Sequence, residues 1–121
     1  MTKSNQTTPE SFLPLSPPVF HILMALVDEE RHGYGIMQEV SALTHDTLRM
    51  GPGTLYGSIK RMIGNGLVEE SEERPDPEMD DDRRRYYRLT SFGRQVATAE
   101  AHRLANLVHQ AELRKLLEGT G

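Results

Sequence analysis

The sequence predicts a mainly α-helical fold with a small β-hairpin and one long final helix. Three observations carry this. Apolar residues recur at three- to four-residue steps in three short blocks between Val19 and Ile63, the spacing of a single buried helical face. Two β-prone runs, Leu67-Val68 and Arg85-Tyr86-Tyr87-Arg88-Leu89, flank a polar stretch containing Pro75 and Pro77, as in a hairpin with a long polar tip. From Gln95 to Glu118 there is neither proline nor glycine, and some 24 residues of helix extend about 36 Å.

Taken in order, residues 1–15 are polar, proline-interrupted and without period, which predicts a disordered arm. Ser16-Pro17 supplies an N-cap followed by proline at the first helical position, where a missing N–H costs nothing. Val19, Phe20, Ile22, Leu23, Leu26 and Val27 then place a first helix over 16–29. Gly33 and Gly35 mark the break after it. Ile36, Met37, Val40 and Leu43 place a second helix over 33–44, closed by a polar connection from His45 to Gly51. Pro52 opens a third helix with an apolar stripe of Leu55, Ile59, Met62 and Ile63. Thr54, Tyr56, Ser58, Lys60 and Arg61 lie off that stripe. Gly64 and Gly66 end it. After the hairpin, Thr90 or Ser91 caps the last helix.

Helix, helix, helix, hairpin is the order of a winged helix-turn-helix, in which the third helix docks in a DNA groove and the hairpin reaches the flanking backbone. The chain therefore divides into the arm (1–15), a winged domain (16–90) and a C-terminal helix (91–121). A winged domain buries its own apolar faces, which leaves the last helix nothing to cover. It is expected to pack against a second copy through Leu104, Leu107, Val108 and Ala111.

The formal charge of the 121 residues is −4, which argues against nucleic acid only if it is evenly spread. It is not. Residues 69–82 hold nine of the 18 acids and one base, Arg74, so the remaining 107 residues carry a net +4. The bases gather on the third helix and on the outgoing hairpin strand.

Several function classes are excluded or find no support. With no cysteine, disulfides, thiolate nucleophiles and Cys-type zinc fingers are impossible. The longest apolar run, Val19 to Val27, is broken by His21 and falls short of the ~20 residues of a membrane span. The polar N-terminus lacks a signal-peptide pattern, and a cytoplasmic protein is the expectation. Asp76 to Asp82 lacks the loop glycine and closing glutamate of a calcium loop. The five histidines show no HExxH spacing, so no metal or cofactor is expected. No nucleophile elbow, P-loop or GxGxxG occurs, and enzyme chemistry has no foothold.

Two constellations remain. On the third helix Lys60 and Arg61 sit opposite Leu55 and Ile59, with Thr54 and Tyr56 toward its start; such groups suit phosphates and base edges. The competing reading is a solvated Lys-Arg pair on an ordinary amphipathic helix. Gly57, inside that helix, marks either a close backbone approach or a weak helix. In the hairpin, Arg83, Arg84 and Arg85 with Tyr86, Tyr87 and Arg88 read as a wing gripping the phosphodiester backbone. Cross-strand pairing with Glu69, Glu70 and Glu72 is the alternative. Tyr86 and Tyr87 face opposite sides, so one is core and one outward.

These residues, in this order and spacing, resemble the PadR family of bacterial winged-helix transcriptional regulators. The resemblance rests on His32-Gly33-Tyr34-Gly35-Ile36, on Gly53-Thr54-Leu55-Tyr56 with Ile59-Lys60-Arg61-Met62, and on Asn65-Gly66-Leu67-Val68. It continues through Arg85-Tyr86-Tyr87-Arg88-Leu89-Thr90 to Gly93-Arg94, covering about residues 16–94. It implies a homodimer that binds a two-fold-related double-stranded DNA operator through the third helix and the wing, as a repressor. By resemblance the DNA-facing candidates are Tyr34, Thr54, Tyr56, Lys60 and Arg61, with Arg84 or Arg85 from the wing; Ser58 and Arg83, beside them, complete the candidate set. The sequence departs from the family at Gly57, where proline commonly follows the Leu-Tyr pair, at Gly64, and in the acidic wing tip. Some relatives respond to phenolic acids or flat cationic drugs, which would make a small-molecule effector a partner. There is no tryptophan to stack on one. Phe12, Phe20, Met24, Met37 and Met62 are candidate lining, although such residues more often form plain core. The alternative function is a winged helix that binds another protein through its acidic loop.

Overall fold

The computed structural model describes residues 7–71 and 85–117. Its elements are α1 (Pro17–Ala25), β1 (Arg31–His32), α2 (Gly33–Leu43), α3 (Pro52–Gly64), β2 (Val68–Glu70), β3 (Tyr86–Leu89) and α4 (Ser91–Leu113), preceded by a 3-10 turn at Pro9–Phe12. The fold is mainly helical with a small three-stranded antiparallel sheet, in the winged-helix order.

Helix starts follow the caps. The Ser16 hydroxyl accepts from the Val19 N–H at 3.4 Å, and Thr90 Oγ1 accepts from the Gly93 N–H at 2.8 Å, each satisfying an orphan donor. At α2 the cap is His32, whose ring Nδ1 accepts from the Gly35 N–H at 3.0 Å. Gly33 and Gly35 therefore lie in the first turn of α2, which starts at Gly33 as the sequence predicts. α1 stops at Ala25, four residues before its expected end. Asp28, Glu29 and Glu30 follow, and acidic groups oppose the negative end of a helix; Arg31 Nε instead donates to the Ala25 carbonyl at 2.6 Å.

Three helices end alike. After α3, Leu67 N–H reaches the Met62 carbonyl at 2.9 Å and Gly66 N–H the Ile63 carbonyl at 3.0 Å, a Schellman motif that needs a left-handed residue. Gly66, at φ +79°, supplies it. α2 and α4 close in the same pattern with His45 (φ 52°) and Lys115 (φ 65°) in that place. The bonds are Asp46 N–H to the Ser41 carbonyl and Leu116 N–H to the Ala111 carbonyl, at 2.8 and 2.9 Å. The last helix thus stops at Leu113, short of the expected Glu118.

The sheet has β3 in its centre, between β1 and β2. The register pairs Val68 with Leu89, Glu69 with Arg88 and Glu70 with Tyr87, and on the other edge His32 with Tyr86. Tyr87 points into the core at 5% exposed, while Tyr86 turns outward against His32, ring edge to ring face at 5.4 Å. β1 had no sequence signal: it is two residues long, too short to alternate.

The core comprises Ile22, Leu23, Ala25 and Leu26 of the α1 region, Ile36 and Val40 of α2, and Leu55, Ile59 and Met62 of α3. Met50 joins from the turn between α2 and α3, Leu67, Val68 and Tyr87 from the sheet region, and Val96 and Ala97 from α4. Val96 is fully buried, and burying such a side chain contributes roughly 1.5–3 kcal/mol, so the first half of α4 is packed into the core of the domain. Where Gly93 meets Leu67, just before β2, a Cβ would collide with the Leu67 carbonyl, and only glycine permits that approach.

Two expectations change here. The last helix does have something to cover, because its first half lies on α1 and on the Pro9–Phe12 turn. Nor is the whole arm without structure. Phe12 packs edge-on to Phe92 with ring centres 5.6 Å apart, and the Leu15 N–H donates to Glu100 Oε2 at 3.2 Å. Residues 1–6 lie outside the described residues.

Candidate nucleic-acid interface

α3 has an inner and an outer face. Leu55, Ser58, Ile59 and Met62 are buried at i, i+3, i+4 and i+7, one helical side. Thr54, Lys60 and Arg61 are exposed on the other, with Gly57 part-exposed between them. Ser58 is corrected by this geometry: at 3% exposed it faces the core, and its Oγ accepts from Arg61 Nη2 at 3.3 Å. The missed signal was its place three residues after Leu55 and four before Met62. No backbone approaches Gly57; a Cβ there would meet only the Arg61 guanidinium, at 3.8 Å.

Tyr56 and Tyr34 lie where α3 meets the start of α2. Tyr56 is half-buried, its ring and hydroxyl filling the space a Gly33 side chain would need, so it sets the spacing of the two helices. Tyr34 is 53% exposed and stacks on His32 at 6.4 Å between ring centres. Through His32 the row runs on to Tyr86, joining α2 to the outer side of the sheet.

The wing cations are already engaged. Arg85 lies 3.9 Å from Glu70. Arg88, absent from the sequence-derived contacts, donates from Nε to Glu69 Oε2 at 2.8 Å and lies 3.6 Å from Glu30. The Glu69 hydrogen bond raises the Arg88 pKa above its ordinary value. Cross-strand pairing, one of the two sequence readings, therefore describes Arg85 and Arg88. Arg83, Arg84 and the Asp76–Asp82 run lie outside the described residues.

The helix-turn-helix differs. Among the described residues Lys60, Arg61 and Arg49 have no carboxylate partner. Exposed cations without such a partner are available to an anion, whereas a paired guanidinium must first be released. Among the described residues no group of three or more His, Asp or Glu side chains is placed to hold a metal ion, and no helix is long and apolar enough to cross a membrane.

On α4 the residues expected at a dimer contact fall in its second half. Leu104 and Ala111 are half-buried, and Leu107 and Val108 are 51% and 48% exposed. Leu113, Leu116 and Leu117 are exposed beyond them. Of the candidate apolar lining, Met62 is core and Phe12, Phe20 and Met37 pack against the core. Phe20 and Met24 also edge a shallow apolar groove between α1 and α4, with Ala97 and Ala101 on its far side.

Comparison with known proteins agrees with this architecture. The chain is 37% identical over 90 residues to the transcriptional regulator Rv3488 of Mycobacterium tuberculosis, a match covering 74% of this chain and 78% of that one. It is 36% identical over 86 residues to an uncharacterised 37.1 kDa protein in transposon TN4556 of Streptomyces fradiae, covering 71% of this chain but only 22% of that protein. The crystal structure of Bacillus subtilis PadR in complex with operator DNA shares the fold, with a TM-score of 0.59 at 19% identity over 71% of this chain and 47% of that one. The pattern of the PadR-like transcriptional regulator family matches residues 22–99. This chain belongs to the PadR-like family of transcriptional regulators.

Proposed function

We propose that the protein is a sequence-specific DNA-binding repressor, acting as a homodimer on a two-fold-related operator. The observation that carries this reading is the outer face of α3, where Thr54, Lys60 and Arg61 are exposed and the two cations have no carboxylate partner among the described residues. A helix of 13 residues is about 20 Å long and fits the major groove, about 12 Å wide. Tyr34 adds a hydroxyl beside it, and Arg85 a guanidinium whose 3.9 Å contact with Glu70 is loose. Arg83 and Arg84 complete the proposed contacts. That the Bacillus subtilis relative was solved with operator DNA supports the same reading.

The proposed dimer rests on α4. Leu104, Leu107, Val108 and Ala111 recur at three- and four-residue steps along the second half of α4, beyond its buried residues Gly93, Val96, Ala97 and Glu100. Ala101, one turn before Leu104, lines the α1–α4 groove, so a second copy of α4 would find one apolar track. A small-molecule effector would find its apolar lining in that groove too. The protein acts where the DNA is, in the cytoplasm.

The experiment is a titration of duplex DNA against rising salt, for the parent protein and for Lys60→Ala with Arg61→Ala. The parent should bind with an affinity that falls log-linearly with salt, because each neutralised phosphate releases about 0.9 of a counterion. The double variant should lose most of that affinity while keeping its melting temperature. A parent protein that binds no duplex at low salt would instead favour recognition of another protein.

A further inference from the structure

We propose that the groove between α2 and the α2–α3 turn is a seat for a DNA phosphodiester, with Arg49 as its cation. The proposal rests on the DNA-binding reading above and adds a contact outside α3 and the wing. Arg49 is exposed and, among the described residues, has no ion pair or hydrogen-bond partner. Across the groove α2 presents Tyr34, Gln38 and Ser41, which at i, i+4 and i+7 share one helical side. The floor is apolar, made by Met37 and Met50.

The turn that carries Arg49 is tied to α2. His45 and Asp46 both take left-handed backbone, at φ 52° and 64°. The Ser41 hydroxyl donates to Asp46 Oδ1 at 2.8 Å, and the Asp46 N–H donates to the Ser41 carbonyl at the same distance. A guanidinium, a tyrosine hydroxyl and a glutamine amide then border one opening, all donors suited to phosphate oxygens. Asp46 is the one carboxylate in that lining, and it repels an anion.

Position favours a backbone phosphate over a base. Arg49 precedes α3, so it stands outside the groove that the helix enters, where contacts fix register and not sequence. From Pro52 to Lys60 is about 12 Å along the helix axis. Arg49, ahead of the first turn of α3, and Lys60, near its last, would thus hold DNA at two separate places.

Because a phosphate contact is indifferent to sequence, a random-sequence duplex is a sufficient probe. Its affinity is measured by fluorescence anisotropy across about 0.05–0.2 M salt, with melting temperatures taken in parallel. Arg49→Ala should keep the parent melting temperature, lose about tenfold in affinity, and lower the salt slope by about 0.9 per bound protomer. Arg49→Lys, which restores the charge, should recover the slope, and Asp46→Asn should tighten binding. An Arg49→Ala protein that keeps the parent slope, whether or not its affinity falls, overturns the seat and leaves the DNA-binding reading standing. A parent that shows no salt-dependent binding overturns both.

Discussion

Replacing Glu100 by alanine should release the N-terminal segment from α4 and cost about 3 kcal/mol of stability, chiefly through a backbone N–H left without an acceptor. Glu100 is 2% exposed. Its carboxylate receives Arg103 Nε at 2.7 Å, Arg103 Nη2 at 2.9 Å and the Leu15 N–H at 3.2 Å. The unsatisfied Leu15 donor costs about 1–3 kcal/mol, and the emptied side-chain volume adds about 1 kcal/mol. Arg103, whose side chain is 34% exposed, regains water and offsets nothing further. For a domain of this size the loss is roughly 10 °C in Tm. Glu100→Gln keeps an acceptor for Leu15 and should lose about half as much. The pH dependence has a definite sign. The Arg103 hydrogen bond, helped by Leu15 and opposed by burial, holds the Glu100 carboxyl below its ordinary range. A depressed folded pKa contributes stability that is complete above the unfolded value, about 4.3, and lost as pH falls through the folded value. Thermal melts followed by far-UV circular dichroism at pH 7, and again from pH 5 downward, measure both effects. Parent and Glu100→Gln melting curves that coincide at pH 7, or fall in parallel with acid, would refute the reasoning.

Other perturbations test other joints of the fold. Gly93→Ala places a Cβ against the Leu67 carbonyl, and chemical denaturation should show a loss of about 3 kcal/mol or more, since backbone must move. His45→Gly relieves a left-handed non-glycine residue and should stabilise by about 0.5–1 kcal/mol in the same assay. Leu107→Glu puts a charge on the exposed face of α4 and should give monomers in sedimentation without lowering the monomer's own stability; persistent dimers would remove that face from the interface.

The sequence was most legible where local chemistry decided the outcome. Ser16-Pro17 starts α1, Pro52 opens α3, and Gly66 closes it. The stripe of Leu55, Ile59 and Met62 is the buried face. It was least legible where long-range packing decided. β1 exists only because β3 lies beside it. Glu100 carries no sequence signal of its own, and the returning Leu15 and the i+3 Arg103 accompany its burial. The end of α4 was missed because Lys115, not glycine, takes the left-handed place. In the wing the sequence left two readings for the arginines; Arg85 and Arg88 pair with strand β2 because the register sets Glu69 opposite Arg88. Arg49 was overlooked because a single arginine in a polar turn has no pattern; its proposed role rests on its having no partner among the described residues.

The central claim, that a dimer of this chain reads a two-fold DNA site through α3, is tested most directly by selecting bound duplexes from a random pool. The account predicts enrichment of an inverted repeat whose half-sites lie about one helical turn, or a multiple of it, apart. It also predicts that the enrichment disappears for Lys60→Ala with Arg61→Ala. A pool that remains random, or a single half-site without symmetry, would contradict it.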